Sequence, residues 1–219
     1  TISSYSVEKD IEVIPNFIDT EKYKRKTGEG SSCFRGNIAS QDEKILIHVS
    51  NFRPVKRVPD VIKIFSIVSK SLPAKLILVG DGPERSECER LCRELGITEK
   101  VKFMGKQDSL PEILSIADLF IMPSQSESFG LSALEAMSCE VPVISSSVGG
   151  LPELNLHGKT GYIAEFGDVE RMAKYAVELL SNEKKYQLFQ KNAREQAEFY
   201  NEEKIIGVYE KFYEKILGE

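Results

Sequence analysis

Histidine and cysteine are scarce in this chain, two and four in 219 residues, and what they fail to assemble narrows the chemistry. Neither His48 nor His157 has a serine or cysteine nucleophile at a diagnostic spacing, so a hydrolytic triad is not indicated. His48 falls inside an apolar run and is expected in the core; His157 falls in a loop and is expected at the surface. Cys33, Cys88, Cys92 and Cys139 include no C-x-x-C pair. Cys88 and Cys92 stand one helical turn apart, as half a metal site would, but no second ligand pair follows, and buried or incidental thiols are expected. Missing too is any apolar run near the roughly 18 residues that span a bilayer. The start Thr1-Ile2-Ser3-Ser4 has neither the charge nor the apolar core of a signal peptide, so the expectation is a soluble, cytoplasmic protein. There is no excess of positive charge: a net charge of −5 and an isoelectric point near 5.4 argue against nucleic acid or an anionic membrane as the main partner. No internal repeat and no low-complexity tract is found.

What is present is a globular composition, 41% hydrophobic and 29% charged, long enough to bury a substantial core. β-rich runs alternate with helical patterns: strands are expected over 45–49, 75–79, 101–105, 119–122, 141–145 and 161–164, and helices over 59–72, 84–95, 110–115, 128–138 and 152–156. Strands joined through helices of this length form a parallel sheet covered on both faces, so the fold class is α/β, doubly wound and Rossmann-like. Before it, 11–14 reads as a short strand and 21–42 as a linker with one short helix at 33–38. After Asp168 only helical patterns remain, over 169–180, 184–200 and 202–217. The last two are highly charged and are expected to pack outside with one apolar stripe each.

The stretch from Ser124 to Glu135 follows the apolar run 119–122 and passes through small and polar residues into a helix. A helix start outside a strand end presents unpaired amides and a positive dipole end, which suits a phosphate. Glu127 stands just before the helix and Glu135 roughly 9 Å along it. Carboxylates repel phosphate but accept from sugar hydroxyls, so the pattern suggests a sugar-phosphate; an acidic helix cap with a surface glutamate is the plainer reading. Arg53 and Lys56 follow the first strand of the alternation and suit a diphosphate, or else form a solvated basic turn. Gly80-Asp81-Gly82-Pro83 is half a dinucleotide fingerprint interrupted by proline, better read as a tight strand-to-helix turn than as a dehydrogenase motif. Gly149-Gly150 would let backbone approach either a ligand or a neighbouring loop closely.

Asn51-Phe52-Arg53 with Lys56, Gly80-Asp81-Gly82-Pro83-Glu84, Phe103 with Gly105, Glu127-Ser128-Phe129-Gly130-Leu131 to Glu135-Ala136-Met137, Pro142-Val143, and Gly149-Gly150 with Glu153 occur in an order that resembles the family 4 retaining glycosyltransferases. The resemblance runs from about residue 45 to 180. It implies the C-terminal, donor-binding half of a two-domain GT-B enzyme: residues 1–42 ending a preceding domain and linker, 43–181 the nucleotide-sugar-binding domain, and 182–219 helices packing on it and towards an absent N-terminal domain. It implies a UDP-sugar donor, UDP-N-acetylglucosamine, transfer to a small acceptor with retention, and no cofactor or bound metal. Carried over residue by residue, Glu127, Arg53 and Lys56 would be catalytic. Asn51, Lys106, Ser128, Phe129, Gly130, Leu131 and Glu135 would bind the nucleotide-sugar, with Glu135 on the ribose, Glu127 on the donor sugar and the base near Met104 to Lys106. A homo-oligomer is compatible with this reading. Two alternatives stay open: a nucleotide-sugar-binding fragment without catalysis, and a related transferase acting on a lipid or polysaccharide. Glu140 departs from the family pattern, which has glycine there; if the position needs a left-handed backbone, glutamate costs roughly 1–2 kcal/mol.

Overall fold

The computed structural model describes residues 12–218. Six strands, β1 (Lys44–Val49), β2 (Ala74–Val79), β3 (Val101–Gly105), β4 (Leu119–Met122), β5 (Val143–Ser146) and β6 (Gly161–Ala164), form one parallel sheet in the order β3-β2-β1-β4-β5-β6. The order reverses between β1 and β4, and the crevice at their carboxyl ends is where such sheets bind ligands. Nine helices accompany it among the described residues: α1 (Glu29–Gly36), α2 (Val58–Ser71), α3 (Arg85–Glu94), α4 (Leu110–Ser115), α5 (Leu131–Ser138), α6 (Leu151–Leu154), α7 (Val169–Leu180), α8 (Glu183–Glu198) and α9 (Glu202–Leu217).

Burial on both faces explains the unbroken apolar strands. Alternate residues of β1, β2 and β4 feed two separate cores. Leu46, Leu76, Leu78, Leu119 and Ile121 meet α2, α3 and α7; Ile45, Ile47, Ile77, Phe120 and Met122 meet α4, α5, α6 and α8. Cys88 and Cys92 lie in the first core, where burial pushes their thiols up to about 12 and about 11. Cys139 lies buried in the second and Cys33 is exposed. Of α9 only Ile205 is buried.

The structure moves several expected boundaries. The first helix spans Glu29–Gly36 rather than 33–38. The expected strand at 11–14 begins at Ile11, outside the described residues, and 12–14 form no strand. β5 starts at Val143, because Pro142 has no amide to give to a ladder. α6 spans Leu151–Leu154 and ends short of 156. Glu140 does adopt a left-handed backbone, φ 60°, and closes α5 by a Schellman pair: its amide donates to the Met137 carbonyl at 3.0 Å and that of Val141 to Ala136 at 2.9 Å.

Candidate functional site

Two loops meet at the switch point, residues 50–57 after β1 and 123–130 after β4. The Gln125 amide donates to the Val55 carbonyl at 2.8 Å and stitches them together. Across that seam Lys56 Nζ donates to Glu127 Oε2 at 2.5 Å, the two side chains only 22% and 12% exposed. A third loop holds Glu127 from behind. The Gly150 amide donates to the Glu127 carbonyl at 3.1 Å, and a Cβ on Gly149 would stand 1.8 Å from that same oxygen. The double glycine therefore serves close approach of a neighbouring loop, one of the two possibilities the sequence left open.

α5 begins at Leu131, not near residue 128. Gly130, in the left-handed region at φ 98°, turns the chain into the helix, so Ser128 and Phe129 precede it as loop. Among the described residues, the amides of Ser128, Phe129, Gly130, Leu131 and Ser132 find no protein acceptor. Five unclaimed donors beside a half-buried lysine form an anion-binding surface. A cavity of about 890 Å³ adjoins it at Glu127, Ser128 and Phe129, lined besides by Ser126, Gly149, Gly150, Glu153, Tyr200 and residues 13–16 but not by Lys56, Gly130, Leu131 or Ser132. Its size is that of a small-molecule site. Tyr200 meets Phe129 edge-on, ring centroids 5.4 Å apart.

Other candidates are placed less closely. Arg53 and Asn51 are exposed on the β1 loop, and the Arg53 guanidinium has no hydrogen-bond partner among the described residues. Lys106 is exposed just past β3, at the sheet margin and the same carboxyl edge. Glu135 does not line the cavity: it lies partly buried one turn into α5, beside the phenol of Tyr23. Burial raises its carboxyl above the usual range, with the Tyr23 hydrogen bond and the Lys22 charge opposing. Tyr200, which lines the cavity, was not legible as a site residue, because it comes from a segment far away in the chain and carries no motif.

His48 is fully buried in β1. Its Nδ1 lies 2.8 Å from the Ile121 carbonyl, which only accepts, so Nδ1 carries the proton and Nε2 accepts from the Ser50 hydroxyl at 2.7 Å. Burial pulls its pKa down to about 4, the Ile121 bond opposing and the Lys56 charge adding to the drop. The ring is thus a neutral tie between β1 and β4 behind the site. His157 is exposed, and its Nδ1 accepts from the Ile163 amide. Among the described residues no three His, Cys, Asp or Glu side chains gather as a metal site would require, and no helix is long and apolar enough to cross a membrane.

The family model for glycosyl transferases group 1 matches residues 34–196. N-acetyl-alpha-D-glucosaminyl L-malate synthase of Bacillus anthracis is 44% identical over 212 residues, covering 96% of this chain and 55% of the relative. Sulfoquinovosyl transferase SQD2 of Arabidopsis thaliana is 29% identical, covering 84% of this chain and 36% of that one. In fold, sucrose-phosphate synthase from Thermosynechococcus elongatus superposes with a TM-score of 0.86 at 25% identity, over 99% of this chain and 55% of the other. The Anabaena protein HepE, solved with UDP and glucose, gives 0.83 at 25% identity over 95% and 57%. The chain thus spans about half the length of several proteins it matches. With a matched region covering most of its length, the chain belongs to the group 1 glycosyl transferases.

Proposed function

We propose that this chain is the donor-binding half of a cytoplasmic, retaining glycosyltransferase that takes a UDP-sugar, UDP-N-acetylglucosamine, and passes the sugar to a small acceptor, L-malate, in bacillithiol biosynthesis. The observation that carries the donor reading is the Lys56–Glu127 pair beside five unclaimed amides at the switch point. Those amides, Lys56 and the exposed Arg53 face the charge that grows on a departing diphosphate, and stabilising it needs no metal ion. Support for the donor sugar and acceptor is the 44% identity with the malate synthase; support for UDP is the fold shared with a UDP complex. Glu127 takes the sugar hydroxyls and Glu135 the ribose. Most acceptor contacts belong to the rest of the protein, and the apolar side chains that α9 leaves exposed, Ile206, Tyr213 and Ile216, offer it a packing surface.

The ion pair makes the reading specific. A diphosphate that draws Lys56 away leaves Glu127 without a partner, whereas a UDP-sugar brings hydroxyl donors that replace the lysine. Titration calorimetry checks this: the chain binds UDP-N-acetylglucosamine more tightly than UDP, and Glu127→Gln erases that preference while strengthening UDP by up to about tenfold, roughly 1.4 kcal/mol. A chain that takes up neither ligand would sink the proposal. Mass spectrometry of the full-length enzyme with malate and with lipid or polysaccharide acceptors tests the acceptor separately.

A further inference from the structure

Arg57 occupies the left-handed region, φ 57° and ψ 41°, where a side chain is disfavoured. It stands between two structures. Its amide donates to the Pro54 carbonyl at 3.1 Å, closing the short turn that carries Lys56, and its own carbonyl accepts from Asp60 and Val61 at 2.9 and 3.3 Å, opening α2. The side chain pairs with Asp60 and not with Glu127. Its Nε and Nη2 each lie 2.7 Å from one oxygen of Asp60, a carboxylate only 2% exposed, whose other oxygen takes Lys63 at 3.1 Å. The Phe166 ring, from the loop after β6, lies 5.7 Å from the guanidinium carbon. A planar fork held on a buried carboxylate and faced by a ring is fixed in direction.

Resting on the donor reading above, we propose that Arg57 is a positioning residue: clamped to Asp60 and Phe166, it holds the strained turn that aims Lys56 at Glu127 and at the donor diphosphate. Glycine would accept the same backbone without strain, yet it would leave the turn untied to α2. Alanine would keep the strain and lose the clamp, so the turn relaxes and Lys56 moves off line. The guanidinium itself touches no donor atom.

The test is UDP titration of wild type, Arg57→Ala, Arg57→Gly and Lys56→Ala, with Arg57→Ala added to Lys56→Ala, each checked by thermal melting. Arg57→Ala weakens UDP by about tenfold, Arg57→Gly recovers most of that loss, and in the Lys56→Ala background Arg57→Ala changes affinity by less than about twofold. Equal losses in Arg57→Ala and Arg57→Gly would mean that the guanidinium meets the ligand directly, and additive losses with Lys56→Ala would mean that it does not act through the lysine; either overturns the proposal. A wild type that binds while Arg57→Ala matches it overturns the clamp alone. A wild type that takes up no UDP overturns the donor reading and this inference with it.

Discussion

At the amino edge of the sheet Asp118 is saturated: Arg35 Nη2 donates to it at 2.9 Å and the Ile45 amide at 2.7 Å, while the Tyr186 hydroxyl bonds its backbone carbonyl at 3.1 Å. At the carboxyl edge, one strand length away, five amides find no protein acceptor among the described residues, Asn51, Arg53 and Lys106 are exposed, and the Lys56–Glu127 pair joins two loops rather than two elements of the core. The contrast separates two uses of polar groups. Bonds that are all made internally fix the fold; bonding capacity kept unspent at a preformed edge is available to a ligand. Substitutions at the two edges should therefore divide stability from binding.

The largest effect is expected at the saturated edge. Asp118→Ala leaves the buried Ile45 amide unpaired and Arg35 uncompensated, a loss of about 3–5 kcal/mol by analogy with other broken buried pairs. Denaturant unfolding should register it, while UDP affinity of the folded fraction stays at the wild-type value. An affinity that fell with stability unmoved would erase the division.

Next comes His48, which sits near the carboxyl edge yet is bonded at both nitrogens like a core group. Its folded pKa is depressed from 6.5 to about 4, so as pH falls the unfolded state takes the proton first. Stability is full above pH 6.5 and drains between there and about pH 4, by roughly 3 kcal/mol. Glu112, held down to about 2 first by its Lys26 bond, loses stability only below pH 4.5, and the raised Glu135 has the opposite sign, losing stability as pH rises past 4.5. The difference between wild type and His48→Asn in urea midpoints across pH 4 to 7 isolates the histidine. A flat difference would mean that the ring is protonated or solvated in the fold.

The fold was largely legible because each strand is an apolar run bounded by turn residues and each crossover helix buries a stripe. α1 was misplaced for the converse reason: it buries no residue, so its pattern has no apolar face to announce its limits. The loop before α5 was legible as a strand-to-helix connection at the carboxyl edge, but its true helix start depends on the left-handed Gly130, which no periodicity encodes. Lys56 and Glu127 were both legible as charges at that edge. Their pairing was not, because it depends on which strands become neighbours, and so did the Asp60 clamp escape notice: an acidic residue in a first helical turn has an ordinary explanation in the helix dipole.

The smallest effect compares the two non-glycine residues with left-handed backbone among the described residues, Arg57 at the carboxyl edge and Glu140 at the end of α5. Arg57 is tied to Asp60, but the Glu140 carboxylate forms no ion pair among the described residues, so its side chain does not offset the strain. Glycine at 140 keeps both Schellman bonds, relieves roughly 1–2 kcal/mol of backbone strain and gives back part of it in unfolded-state entropy. Glu140→Gly should therefore stabilise by about 0.5–1 kcal/mol, a melting rise of about 1–4 °C for a chain of this size, with UDP affinity unchanged. Arg57→Gly, which loses its clamp as it loses its strain, should gain less. A larger gain at 57 than at 140 would show that the Asp60 bonds contribute nothing to the folded turn, and the distinction between a strained residue held for function and one merely tolerated would disappear.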